Sequence, residues 1–297
     1  MAAFATVEGT VAFRGYRTWY QIVGELPSVD GKLPLLVLHG GPGVPHDYLE
    51  DLRRLADTGR PVIFYDQLGC GRSDHPDDPA LWVMGTFVDE LTAVRNALGL
   101  HDVHIFGHSW GGWLALEYAL GRPPGLVSLV LASACASVPA FAAETRRLKA
   151  SLPPEVQEVI DRHEAQGATD DQEYVEAAMA YFGRWICRLD LWPDHLVRAF
   201  TNLSEDVYGT MQGPEWNVTG NLKSWDVTAR LGQLDLPVLV TSGRYDEMTP
   251  ALVQPLVDGI RDAEWVIFEE SAHFAMAEEP ERYLQVVEAF LSRVEAA

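Results

Sequence analysis

Apolar positions along this chain fall into two rhythms. Near the start, TVAFRGYRTWYQIVG alternates β-branched and aromatic residues with others on both sides of Gly15, the pattern of two strands joined by a tight turn. After Pro34 the apolar runs become short and continuous: LLVL, PVIFY, VHIF, GLVSLVLAS, LPVLV and AEWVIF. Helical patterns lie between them. An amphipathic stretch runs from Asp47 to Thr58, and Phe87, Leu91, Val94 and Leu98 recur at helical spacing up to Gly99, with Thr86 and Asp89 spaced as a capping box. The segment after Ser109 continues as a helix, and Tyr283, Val287, Phe290, Leu291 and Val294 mark a closing helix at the end of the chain. Continuous apolar strands separated by helices predict an α/β fold, a mostly parallel, doubly wound sheet covered on both faces.

The strand signal stops between about Ala136 and Arg230. Helical stripes replace it, such as Val156, Val159, Ile160, His163 and Tyr174, Ala178, Tyr181, Trp185. The expected organisation is therefore a core formed by residues 1–135 and 231–297, with a helical cap inserted over 136–230. Trp185, Trp192, Trp216 and Trp225 give that insert the composition of a lid over a pocket rather than of a linker.

Composition narrows the function classes. The chain of 297 residues carries a net charge of -21 and gathers no Lys/Arg patch, which argues against nucleic acid as a partner. No stretch approaches the roughly 18 apolar residues of a membrane span. The first twenty residues lack the basic start and apolar run of a secretory signal, so the expected location is cytoplasmic. Cys70, Cys135 and Cys187 are odd in number and form no CxxC pair, which predicts reduced thiols rather than disulfides or a zinc site. His104 and His108 do not share a helix face, and no metal or other cofactor is expected. Asn202 and Asn217 head glycosylation acceptors that would matter only in a secreted chain.

The chemistry concentrates in Gly107-His108-Ser109-Trp110-Gly111, a GxSxG between a predicted strand and a predicted helix. A nucleophile there occupies a strained turn that tolerates only small neighbours, and the helix that follows aims its first amides at a developing anion. A serine hydroxyl needs a base, and the base needs an orienting carboxylate. Asp246 follows the strand LPVLV and His273 follows AEWVIF, so both are expected at the sheet edge where Ser109 emerges; Asp235 and Asp262 precede strands and are weaker candidates. His39-Gly40-Gly41-Pro42-Gly43 ends the strand LLVL and can supply a backbone donor. The expected oxyanion hole is the amides of Gly41 and Trp110.

HGGPG, YDQLGCGRSD and GHSWGG, with Asp246 and His273 behind them, resemble the proline iminopeptidase and L-amino acid amidase branch of the α/β-hydrolases, serine peptidase family S33. MQGPEWNVTGNLKSWD, Met211 to Asp226, is similar to a lid segment of that branch. The resemblance implies an α/β-hydrolase fold and a serine hydrolase that cleaves amide bonds after a free N-terminal residue, acting on a small molecule or short peptide. It also implies that Glu215 from the lid and Glu247 from the core bind the substrate amine. Paired carboxylates in an apolar pocket suit an ammonium and reject acyl-blocked ends. A small-molecule esterase, lactonase or amidase with the same triad is the alternative reading, and a non-catalytic ligand-binding protein on the same fold is a further one.

Overall fold

A computed structural model describes residues 5–214 and 216–297. Among the described residues, eight strands form one sheet. Strands β1 (Thr6–Phe13) and β2 (Tyr16–Val23) are the expected hairpin, turning at Arg14 and Gly15, both at positive φ. Strands β3 (Leu35–Leu38), β4 (Val62–Tyr65), β5 (Val103–His108), β6 (Leu126–Ala132), β7 (Val238–Gly243) and β8 (Ala263–Phe268) follow. The order across the sheet is β1-β2-β4-β3-β5-β6-β7-β8. Strand β2 is antiparallel to both its neighbours, and every pairing from β4 to β8 is parallel.

The continuous apolar runs reflect two buried faces. Leu36, Leu38, Ile63, Tyr65, Ile105, Leu129, Leu131, Val238 and Val240 pack on one side, against α1 (Met84–Ala97), α2 (Trp110–Leu120) and α8 (Pro250–Gly259). The alternating positions Leu35, Val37, Val62, Phe64, Phe106, Val130 and Leu239 pack on the other, under the helical stretch His46–Thr58, α9 (Ala275–Glu278) and α10 (Pro280–Glu295). Each such aliphatic side chain contributes about 1.5–3 kcal/mol of burial, which is why the parallel strands carry no polar face. The 46–58 stretch is wound as a 3-10 helix, tighter than the α-helical reading of its amphipathic pattern.

The capping box expected at Thr86 and Asp89 is not formed. Helix α1 starts earlier, at Met84, with Val83 as its cap. Both side chains instead hold Arg14 of the opening hairpin, which donates to Thr86 Oγ1 at 3.2 Å and to Asp89 Oδ2 at 2.7 Å. A guanidinium from far along the chain outcompetes the local cap.

Between β6 and β7 lie α3 (Val138–Lys149), α4 (Pro154–Gln166), α5 (Gln172–Trp185), α6 (Asp194–Thr201) and α7 (Glu205–Met211). The described residues of this helical segment hold no strand beyond a single bridge, Ser137 to Asp226. That bridge ties entry to exit: Val138 N–H donates to Trp225 O and Val227 N–H to Ala136 O, both at 2.9 Å. No helix among the described residues is long and apolar enough to cross a membrane.

Two sets of buried ionisable groups contribute to the pH behaviour of this scaffold. Arg60 is fully buried and donates to Leu33 O, Glu288 and Glu295, joining the start of β3 to α10. Burial alone would raise the carboxyls of Glu288 and Glu295, but hydrogen bonds from Arg60 and its charge, together with Lys32 at Glu288 and the Leu33 N–H at Glu295, outweigh it and hold both below the usual range. Glu90 of α1 is the opposite case. Burial pushes its carboxyl up to about 8, against hydrogen bonds from Thr18 Oγ1 and Leu68 N–H that favour the charged form.

Replacing Arg60 with Ala removes the guanidinium shared by two carboxylates, leaving Glu288 with Lys32 and Glu295 with the Leu33 N–H, and should cost about 3 kcal/mol in chemical denaturation at pH 7. Because both carboxyl pKa values are lower in the folded state, the wild type should hold this stability above about pH 4.5 and lose it on further acidification. Glu90→Gln should leave stability unchanged near pH 4. Above that, the unfolded carboxyl ionises while the folded one stays protonated, so the variant should gain over wild type between about pH 4.5 and 8, by on the order of a few kcal/mol. Melting curves across that range check both.

Candidate active site

Strand β5 runs into α2 through Ser109, whose φ of 54° and ψ of -122° place it in a region that L-residues rarely occupy. The turn exists because its neighbours are bare. A Cβ on Gly107 would lie 2.3 Å from Gly111 O, and one on Gly111 would lie 2.2 Å from Leu38 O. Backbone bonds hold the serine there: Ser109 N–H donates to Ala132 O at 2.9 Å, and Gly112 N–H donates to Ser109 O at 2.8 Å. Ser109 and Gly41 are half-buried among buried neighbours, so each keeps some exposed surface.

Asp246 and His273 meet at the same sheet edge, in the loops after β7 and β8. His273 Nδ1–H donates to Asp246 Oδ1 at 2.7 Å, and that oxygen also accepts Met248 N–H at 2.8 Å. The carboxylate is fully buried, and its acceptor-only chemistry fixes the proton of the neutral ring on Nδ1. Nε2 is thereby left as the basic nitrogen. His273 O accepts Ser133 Oγ–H at 3.0 Å and the His108 Nε2–H at 2.9 Å, and the two histidine rings lie 4.6 Å apart. Asp235 and Asp262 stand at the other ends of β7 and β8: Asp235 is exposed beside Arg261, and Asp262 O accepts Val238 N–H.

The glycine loop after β3 packs against the nucleophile. A Cβ on Gly40 would come within 3.1 Å of both His108 O and Ser109 Cβ. Gly41 has φ +106°, and a Cβ there would meet Gly43 N at 2.6 Å, so this turn admits only glycine. Trp110 contributes the first N–H of α2, a position with no acceptor within its own helix.

Glu247 is buried next to Asp246, and Tyr181 OH donates to its Oε2 at 3.1 Å. Tyr181 itself packs against Trp185 and Trp216 with ring separations of 4.7 and 5.1 Å. Glu215, expected as the second amine-binding carboxylate, lies outside the described residues.

Several residues that organise this site carry no signal in the sequence. Tyr48 OH accepts Gly40 N–H at 2.6 Å and donates to His108 Nδ1 at 3.0 Å. Burial and the neighbouring His273 hold His108 well below its usual pKa, so it acts here as a neutral relay. The helical segment between β6 and β7 reaches the same loops through its backbone. Trp185 O accepts Glu247 N–H at 3.1 Å, Ile186 O accepts His273 N–H at 3.0 Å, and Ser204 N–H donates to Gly43 O at 2.9 Å. Glu278 joins the two sides, accepting Arg188 N–H at 2.7 Å and Ala272 N–H at 2.9 Å. His104, by contrast, bonds Ser128 and Glu295, with partners separate from those of His108. All three cysteines are buried free thiols.

Residues 34–280 match the family model described as alpha/beta hydrolase fold. A proline iminopeptidase of Heyndrickxia coagulans is 41% identical over 97% of this chain and 99% of its own length. The crystal structure of a proline iminopeptidase from Mycobacterium smegmatis superposes with a TM-score of 0.90 at 39% identity, covering 98% of this chain and 99% of that one. The crystal structure of VinJ gives a TM-score of 0.93 at 42% identity, covering 97% and 99%. With the serine turn, the buried aspartate and histidine and the sheet order in place, the chain belongs to the proline iminopeptidase family of the α/β-hydrolases.

Proposed function

We propose that this hydrolase is a serine aminopeptidase or amino acid amidase that releases a residue bearing a free amine from amides and short peptides, with Ser109, His273 and Asp246 as its triad. The observation that carries the reading is the hydrogen bond between buried Asp246 and His273 Nδ1, at the sheet edge where the strained Ser109 turn emerges. Ser109 Oγ attacks the substrate carbonyl while His273 Nε2 takes its proton. Asp246 holds the ring orientation and stabilises the imidazolium. The Gly41 and Trp110 amides receive the oxyanion. His273 then returns the proton to the leaving amine, and water hydrolyses the acyl-enzyme by the same steps reversed.

Glu247 supports selection of a free amine. Its carboxylate is buried beside Tyr181 and an aromatic cluster, where water screens an attraction less than in bulk, so a substrate ammonium gains more there than a neutral amino end. Glu215 is proposed as its companion from the insert, which over residues 136–230 serves as a cap and favours small or short substrates. A cytoplasmic location fits the three unpaired cysteines.

Steady-state hydrolysis of proline and alanine naphthylamides, their N-acetylated forms and a p-nitrophenyl ester panel tests the reading. Among the amides, turnover should be confined to those with a free amine. Ser109→Ala should lose at least about 10³-fold in kcat. Ester turnover with silence on every amino acid amide would reject the assignment.

Glu247→Gln should raise KM for free-amine substrates by roughly 10- to 100-fold, the worth of a hydrogen bond to a charged group. Any ester that lacks an amine should be turned over with little change. Equal effects on both substrate types would remove Glu247 from the amine site.

A further inference from the structure

The two amides assigned to the oxyanion hole sit on different loops, and one buried side chain touches both loops. Gln67, fully buried after β4, donates its backbone N–H to His39 Nε2 at 2.9 Å and its side-chain Nε2–H to His39 O at 3.0 Å. Its Oε1 accepts the Trp110 indole N–H at 2.8 Å. These partners fix the amide orientation by chemistry, since an indole N–H only donates and a carbonyl only accepts.

The same reasoning fixes His39. Its Nε2 faces an N–H and must accept, so the proton sits on Nδ1, which donates to Gly40 O at 3.1 Å. Burial lowers this imidazole to about 4, which keeps the ring neutral in that tautomer at physiological pH. Val44 N–H donates to Gly40 O as well, at 3.3 Å. The Gly40–Gly41 peptide is trans, so anchoring its carbonyl aims the Gly41 N–H the opposite way. The loop bearing Gln67 is itself held: Asp66 accepts His46 N–H and Arg72 N–H at 3.0 and 2.9 Å, and Cys70 N–H donates to Gln67 O at 2.9 Å.

We propose that Gln67 is a positioning residue that aligns both oxyanion donors at once, the Gly41 amide through His39 and the Trp110 amide through the indole. The inference rests on the reading that Ser109 forms a tetrahedral adduct whose oxyanion enters this hole. It assigns Gln67 an effect on the transition state and none on ground-state binding.

Gln67→Leu, Gln67→Glu and Trp110→Phe, compared with wild type, test it. Fluorophosphonate titration counts competent serines, and kcat and KM on proline naphthylamide are taken per titrated site. Inhibition constants are measured for an α-amino aldehyde, whose carbonyl carbon bonds Ser109 Oγ to give a tetrahedral adduct, and for free proline, which does not react. The expected result is a fall of about 10- to 100-fold in kcat for the Gln67 variants, with KM and the proline constant within about twofold. The aldehyde constant should rise by the same factor as kcat falls. Trp110→Phe keeps its backbone N–H but loses the indole donor; it should lose less, and added to Gln67→Leu it should lose nothing further.

Full kcat per titrated site in Gln67→Leu overturns the proposal, as does parallel loss of proline and aldehyde binding, the mark of a general packing defect. If the Gln67 variants fail to fold, an unchanged aldehyde constant in Trp110→Phe overturns it, and a weakened one with proline binding intact supports it. Failure of the underlying reading looks different, because the wild type would then resist fluorophosphonate and Ser109→Ala would keep its activity.

Discussion

The backbone at Ser109 is the constraint around which the rest of the protein is arranged. Reversing from strand to helix within one residue brings α2 so close to β3 and β5 that carbonyls of Leu38 and Gly111 occupy the space of missing side chains. A conformation of this kind costs on the order of 1–3 kcal/mol and persists only where surroundings over-determine it. Here they do. Ser109 sits at the end of a central strand, bonded through its amide to Ala132, while α2 is buried along nearly its whole length by the core under the sheet. Since β3 lies beside β5, and β6, β7 and β8 follow in order, each loop that must meet the serine leaves the sheet at the same edge.

Where the glycine loop flanks this turn, the polar groups are neutral and mutually satisfied rather than charged. Tyr48, His108, His39 and Gln67 are buried, and each donates or accepts in the sense its neighbours require. A neutral network suits a reaction in which a negative charge appears and vanishes within one turnover, because fixed dipoles need not reorganise as a counter-ion would. Charge on this flank is held a step further out, with Asp66 bonded to His46.

Much of this was legible from sequence because its signals are local. Apolar runs marked the strands, Gly107 and Gly111 marked the sharp turn, and the order Ser109, Asp246, His273 placed the candidate site at one edge. What escaped has a common cause, dependence on partners distant in sequence. Thr86 and Asp89 have the spacing of a cap, yet Arg14 claims both. Tyr48 reads as one apolar position of an amphipathic stretch, although its hydroxyl carries the link to Gly40. Gln67 sits inside a motif that carries the family resemblance, and nothing in its spacing announces three hydrogen bonds. The contacts of the segment between β6 and β7 with Glu247, His273 and Gly43 run through backbone groups, which leave no residue type to read.

That last feature bears on how such a protein can diverge. Because Trp185 and Ile186 engage the acid and histidine loops through carbonyls, side chains there can change while these two contacts and the path of the main chain are retained. Insertions and deletions are another matter, since a shift of one residue would carry both carbonyls out of register with two loops at once. These two contacts therefore favour substitution along a fixed trace over changes in length.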